Sequence, residues 1–216
     1  MRSALPADME DDRRLSPLAA DAAVDAGRVL GAAFVDDPVL RYYFEGDVDP
    51  STPVRSTMTL AAALTVRHGF AWRLDTDAGL SGVALLLPSE VRDFPLPAVI
   101  AAVLRTPGLW RPRALRRHFG VTASVEAHRP AFACWTLLSI GVEPARQHRG
   151  HGAWLLARVL DGLPSGAPIC LETANERNLP LYRRHGFAVT SEFLADGGRG
   201  PLTWSMLRPG ASDGGA

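Results

Sequence analysis

Apolar residues recur at helical spacing at Ala22, Ala26, Val29, Leu30, Ala33 and Phe34, and Asp36-Asp37-Pro38 ends that run. Pro38 then opens a short second helical piece over 39–44, and 54–68 carries a third helical pattern. The stretches 70–74 and 81–87 predict a β-hairpin, because the second is bounded by turn signals at 75–79 and Pro88. From 94 to 117 the chain is apolar first and arginine-rich later, with breakers at Pro107-Gly108 and Pro112, which predicts one or two helices. The second half is more sharply patterned. An apolar strand over 132–142 ends at Glu143-Pro144, and 150–163 has helical periodicity through Leu155, Leu156, Val159, Leu160 and Leu163. A buried strand at 169–173 and a short helix at 179–185 follow, then strands at 187–194 and 202–208 joined by a Gly-rich turn. This order predicts an α/β or α+β sheet domain. With no internal repeat and no low-complexity linker, residues 15–208 are expected to form one domain between flexible tails at 1–14 and 209–216.

Composition narrows the function classes. Apolar residues make up 47% and charged residues 21%, ordinary for a soluble globular protein. The formal net charge is zero, so no global field favours nucleic acid or an anionic membrane. There is no lysine in the chain, which rules out Schiff-base and P-loop lysine chemistry. The acidic, polar start has no apolar core of a signal peptide, and the apolar stretch at 94–104 is too short to span a bilayer and is broken by Pro95 and Pro97. A cytoplasmic location is the expectation. Cys134 and Cys170 each sit in an apolar run and are expected as reduced core thiols.

The segment 139–153 carries the clearest chemistry. A strand runs out through Ile140, Gly141 and Val142, a turn follows with Arg146, Gln147, His148 and Arg149, and Gly150, His151, Gly152 and Ala153 open a helix. Unpaired amides and the macrodipole at a helix N-terminus favour negative charge. Glycines let the backbone approach a phosphate where a Cβ would clash, and arginines add charge-assisted contacts. The segment therefore predicts a diphosphate cradle. A dinucleotide fingerprint would need a third glycine where Leu155 stands, and a Walker loop would need a lysine. What remains is Gln-x-x-Gly-x-Gly, from Gln147 to Gly152.

That pattern, followed by Leu171-Glu172-Thr173 and by Arg177-Asn178-Leu179-Pro180-Leu181-Tyr182 running to Gly186-Phe187, resembles the acetyl-CoA signature of the GNAT superfamily of N-acetyltransferases. Within it, 171–187 is similar to puromycin N-acetyltransferase-like proteins. His148 stands where the family usually has glycine. The resemblance implies a mixed, mostly antiparallel twisted sheet of about six or seven strands flanked by helices. It also implies acetyl transfer from acetyl-CoA, as co-substrate, to a primary amine of a small molecule such as an antibiotic or metabolite. Transfer would be direct, in a ternary complex. Rival readings are another acyl-CoA donor, a protein N-terminus as acceptor, or a non-catalytic acyl-CoA sensor.

By the same resemblance, the backbone of Ile140–Val142 pairs with the pantetheine arm and Tyr182 is the general acid for the leaving thiolate, or else packs its helix on the sheet. Asn178 caps that helix and hydrogen-bonds the cofactor arm. Glu172, at the C-terminal end of a buried strand, accepts a proton from the amine or pairs with an arginine. Asp36 and Asp37 attract the amine or cap the Pro38 helix. His148 and His151 lack a third ligand for a metal, so none is expected. Trp135, Trp154 and Trp204 are expected in the core, and the arginine-rich run 105–117 as a solvated face or acceptor lid.

Overall fold

The computed structural model describes residues 12–91, 94–104, 110–164 and 166–210. The elements in chain order are β1 (Arg14–Pro17), α1 (Ala23–Phe34), α2 (Pro38–Tyr43), α3 (Ser51–His68), β2 (Phe70–Thr76), β3 (Gly79–Leu87), α4 (Leu96–Leu104), α5 (Pro112–His128), β4 (Trp135–Val142), α6 (His151–Asp161), β5 (Ile169–Thr173), α7 (Leu179–Arg184), β6 (Ala188–Leu194) and β7 (Leu202–Arg208). The strands form one sheet in the order β1-β2-β3-β4-β5-β7-β6. Every neighbouring pair is antiparallel except β4 and β5. The mixed, mostly antiparallel sheet flanked by helices is thus as expected.

Several predicted boundaries move. Arg14 belongs to β1, which pairs with β2, whereas residues 1–11 and 211–216 of the expected tails lie outside the described residues. The strand predicted from 132 begins at Trp135, and Phe132 is exposed, because hydrophobicity alone does not distinguish a strand from its approach. Residues 105–109 of the arginine-rich run lie outside the described set. Of its later members Arg113 and Arg116 are exposed, as a solvated face requires, but Arg111 pairs with Asp47, and the buried Arg117 donates to the Tyr42 carbonyl and to Glu45. These guanidiniums anchor α5 to the α2 region.

The sheet buries a different core on each face. On one side α1 and α3 cover β2 and β3, with Val29, Leu30, Val54, Ala62, Val83 and Leu85 at the centre. On the other, α6 and α7 bury Leu155, Leu156, Leu171, Tyr182, Phe187 and Met206. Contact between α1 and α3 is close because Gly27 has no side chain. A Cβ there would stand 1.9 Å from Thr59 Oγ1 and 2.7 Å from Thr59 Cα. Gly27→Val is therefore expected to destabilise the fold by about 3 kcal/mol, the upper part of the overpacking range. Thermal unfolding checks this; an unchanged midpoint would mean the helices can separate freely.

Candidate active site

β4 and β5 run side by side only briefly. Their ladder comprises Trp135↔Ile169 and Thr136↔Cys170. Beyond that point β4 stays paired with β3, but its other edge has no ladder partner. The register between β3 and β4 shifts so that Leu85 faces Ser139 while Leu86 faces Leu137, leaving Leu138 as an extra residue. Such a bulge bends its strand and increases local twist, and it comes where the two parallel strands part. Leu138 is 38% exposed in the middle of a seven-stranded sheet. The result is a wedge with the backbone of Leu137–Val142 on one wall and the end of β5 on the other.

The turn from β4 into α6 has the geometry of an anion cradle. His148 adopts φ 63° and Gly150 φ 80°, both left-handed. Left-handed backbone explains why glycine suits position 148; a histidine there costs about 1–2 kcal/mol of local strain. α6 begins on Gly150 with no side-chain cap, so its first amides stay open. The Gln147 amide donates to the Val142 carbonyl at 3.0 Å and ties the turn to the strand end. Arg146 is drawn the other way, to Thr76 at 3.1 Å and Glu143 at 3.6 Å. Arg149 is exposed at the rim, and His151 Nδ1 is buried without a hydrogen-bond partner among the described residues. Around Gly152 there is room: a Cβ would meet only Val142 Cγ2, at 3.9 Å. A strongly anionic group with several acceptor oxygens fits this donor set.

Tyr182 is buried in the same core cluster as Leu137 and Ile140 of β4 and Leu171 of β5. Its ring meets Phe187 edge-on at 5.9 Å. Burial, and then the negative charge of Asp37, push the phenol up to about 12. Asp37 caps α2, accepting from the Val39 and Leu40 amides at 2.9 and 3.2 Å. Burial pushes its own carboxyl upward, against the pull of those two amides. Capping and a charge near Tyr182 are thus one and the same residue's work. Asp36, by contrast, is exposed and pairs with Arg41 at 2.9 Å.

Asn178 differs from the expectation. Its backbone is already helical and its side chain makes no cap; Asn175 instead accepts from the Arg177 amide. A 3-10 turn over Glu176–Asn178 runs straight into α7, so the true entry lies earlier. Asn178 is left half-buried and relieved of a capping role.

Glu172 lies on β5 two residues beyond Cys170, the last residue paired with β4. Its Oε1 is buried and makes no hydrogen bond among the described residues. Burial raises its carboxyl above the usual range, while Arg129 pulls it back and Glu126 adds to the rise. Cys134 and Cys170 are buried free thiols with sulfurs 2.7 Å apart. Trp204 is buried and donates to Glu192 at 2.8 Å.

One constellation had no sequence signal. Asp196, in the turn between β6 and β7, is buried with φ 48° and accepts from the Tyr42 hydroxyl at 2.6 Å and from Arg199 at 3.0 Å. It fixes that turn against α2. Two surface clefts, of about 580 and 550 Å³, contain neither Tyr182, Glu172 nor the α6 turn. Among the described residues no group of three His, Cys, Asp or Glu side chains is arranged to hold a metal, and no helix is long and apolar enough to cross a membrane.

No family model matches the chain. Solved structures do resemble it. A Corynebacterium glutamicum protein described as histone acetyltransferase HPA2 and related acetyltransferase superposes with a TM-score of 0.69 at 20% identity, covering 94% of this chain and 99% of that one. Polyamine N-acetyltransferase of Drosophila melanogaster gives 0.65 at 11% identity, covering 92% and 100%. Arylalkylamine N-acetyltransferase 2 of Aedes aegypti gives 0.61 at 12% identity, covering 92% and 99%. At these identities the likeness is one of architecture, and the architecture of this chain is the GNAT acetyltransferase fold.

Proposed function

We propose that this protein is an N-acetyltransferase that moves an acetyl group from acetyl-CoA to a primary amine of a small molecule. The observation that carries the reading is the wedge between β4 and β5, with the open, left-handed entry to α6 at the end of its β4 wall. The diphosphate of CoA meets the amides of His151, Gly152 and Ala153 with Arg149 at the rim. The pantetheine arm takes the free edge of Ile140–Val142 as if it were another strand, and the Asn178 side chain hydrogen-bonds it. His148 and Gln147 shape the turn.

Transfer is direct, in a ternary complex. An ammonium acceptor loses two protons on becoming an amide. One leaves before attack, and Glu172 takes it, directly or through water. The nitrogen then attacks the thioester carbonyl, the C–S bond breaks, and the second proton replaces the one that the leaving sulfur takes up. Asp37, and Asp36 farther out, favour a cationic acceptor. Tyr182 keeps its proton at neutral pH. Against an ordinary thiol near 8.5, full transfer from a phenol at about 12 is uphill by roughly 5 kcal/mol. The phenol therefore acts first as a hydrogen-bond donor to the departing sulfur.

Because only the carboxylate form of Glu172 accepts a proton, kcat/KM is expected to rise with pH as Glu172 ionises. Burial moves that midpoint above the usual carboxylate range. Glu172→Gln should remove this acidic limb along with most of the rate; a limb that persists in the variant assigns it to another group.

The test of function is thiol release from acetyl-CoA with a panel of puromycin, other aminated antibiotics, polyamines, arylalkylamines and short peptides. Release with one small amine supports the proposal. Release with peptides alone favours a protein N-terminus, release only from longer acyl-CoAs favours another donor, and CoA binding without release to any amine favours a sensor.

A further inference from the structure

Three buried polar atoms without a hydrogen-bond partner among the described residues stand in one row. They are Glu172 Oε1, Ser205 Oγ and Ser191 Oγ. The register makes them neighbours: Glu172 of β5 faces Ser205 of β7, and Ser205 faces Ser191 of β6. They share the sheet face covered by the end of α5. Phe193, two residues after Ser191, carries the His128 ring stacked at 3.9 Å and 5°. The opposite face holds Leu171, Trp204 and Met206 in the other core.

Side chains directly opposite in an antiparallel pair have Cβ atoms about 4.5–5.5 Å apart, which keeps their polar ends within the reach of one water making two hydrogen bonds of about 2.8 Å. Buried polar groups without a protein partner are commonly met by such ordered waters. A hydroxyl donates and accepts at once, so an alternating row of water and serine can pass a proton by reorientation. The row starts at the wedge and runs to β6, the outermost strand, where Ser191 is itself part-exposed.

We propose that Glu172, Ser205 and Ser191, bridged by ordered water, form a proton-release row that leads from the wedge across β7 to solvent at the β6 edge. The inference rests on Glu172 as the proton acceptor of the proposed reaction. Each turnover releases one net proton: the ammonium gives up two and the CoA sulfur keeps one. Glu172 is reset only when its proton departs, and the open end of the wedge is filled by the two substrates at that moment. Arg129 and Glu126 of α5 and Cys170 of β5 are the charged or titratable groups acting on the carboxyl, and none of them lies farther along the row.

A high-resolution crystal structure and steady-state kinetics test this together. Waters bridging Glu172 Oε1 to Ser205 Oγ and Ser205 Oγ to Ser191 Oγ are expected; side chains that close on each other or on the backbone with no water between them overturn the row. With an accepted amine, Ser205→Ala and Ser191→Ala should each lower kcat about tenfold, less than the loss of a positioned acid or base. The solvent isotope effect should rise, while acceptor KM, CoA affinity and the unfolding midpoint stay as in the parent. Ser191→Thr, which keeps the hydroxyl, should restore the rate. Unchanged kcat and isotope effect in an active enzyme remove the row and leave the acetyltransferase reading intact. A wild-type protein that binds CoA but acetylates no amine removes both.

Discussion

Tyr182→Phe is expected to lower kcat about 10²-fold or more, the usual scale for removing a general acid, with CoA affinity unchanged. The substitution is unusually clean in this fold. Tyr182 is buried edge-on against Phe187, and a phenylalanine ring keeps that packing. Among the described residues no hydrogen bond ties its hydroxyl to the protein, so none is lost with it. The unfolding midpoint should therefore hardly move, and calorimetric titration with CoA should give the parent affinity. Kinetics then report the hydroxyl alone. A variant that retains the parent kcat takes Tyr182 out of the mechanism and leaves it as a packing residue, the alternative its burial equally allows.

Gly152→Val should weaken CoA binding about 10- to 100-fold or more, since one or two charge-assisted hydrogen bonds to the diphosphate, worth about 1.5–3 kcal/mol each, would be displaced. The protein itself has room for the new Cβ, which would touch only Val142 Cγ2 at 3.9 Å. Valine is also a somewhat better helix residue than glycine, so α6 should be no less stable. Loss of affinity with an unchanged unfolding midpoint would identify the space above Gly152 as ligand space. Titration giving the parent affinity would reduce the Gly-x-Gly turn to a structural device. Neighbouring Gly150 would not serve as well, because its φ of 80° strains any side chain whether or not a ligand binds.

Much of the architecture was legible along the chain. Periodicity located α1, α2, α3, α6 and α7, and short apolar runs located the strands β5 and β7 to the residue, because each is bounded by a turn signal. The sharp turn into α6 was legible too, for glycine at Gly150, with its φ of 80°, is a local backbone requirement. Even the oddity of His148 had a local cause, its left-handed φ of 63°. Asn178 shows the limit of such reasoning. Its type and place suggested a cap, yet the 3-10 turn before α7 gave the capping to Asn175.

Relations between distant segments were not legible, since no local pattern encodes them. Leu138 is an ordinary leucine in an apolar run, and only pairing with β3 makes it the extra residue where β4 parts from β5. Asp196 reads as one acid in a Gly-rich turn until Tyr42, 154 residues away, donates to it. Arg117 looks like surface charge until α5 packs and buries it against α2. Ser191 and Ser205 are small polar residues in strands, and their alignment with Glu172 exists only through the register of β5, β7 and β6. Backbone conformation and periodic burial depend on a residue and its near neighbours, so the chain alone specifies helices, strands and the left-handed turn into α6. Strand register, desolvation and charge proximity depend on which segments meet, and only the folded protein buries Glu172, Tyr182 and Asp37 and sets the charge of Asp37 near the Tyr182 phenol.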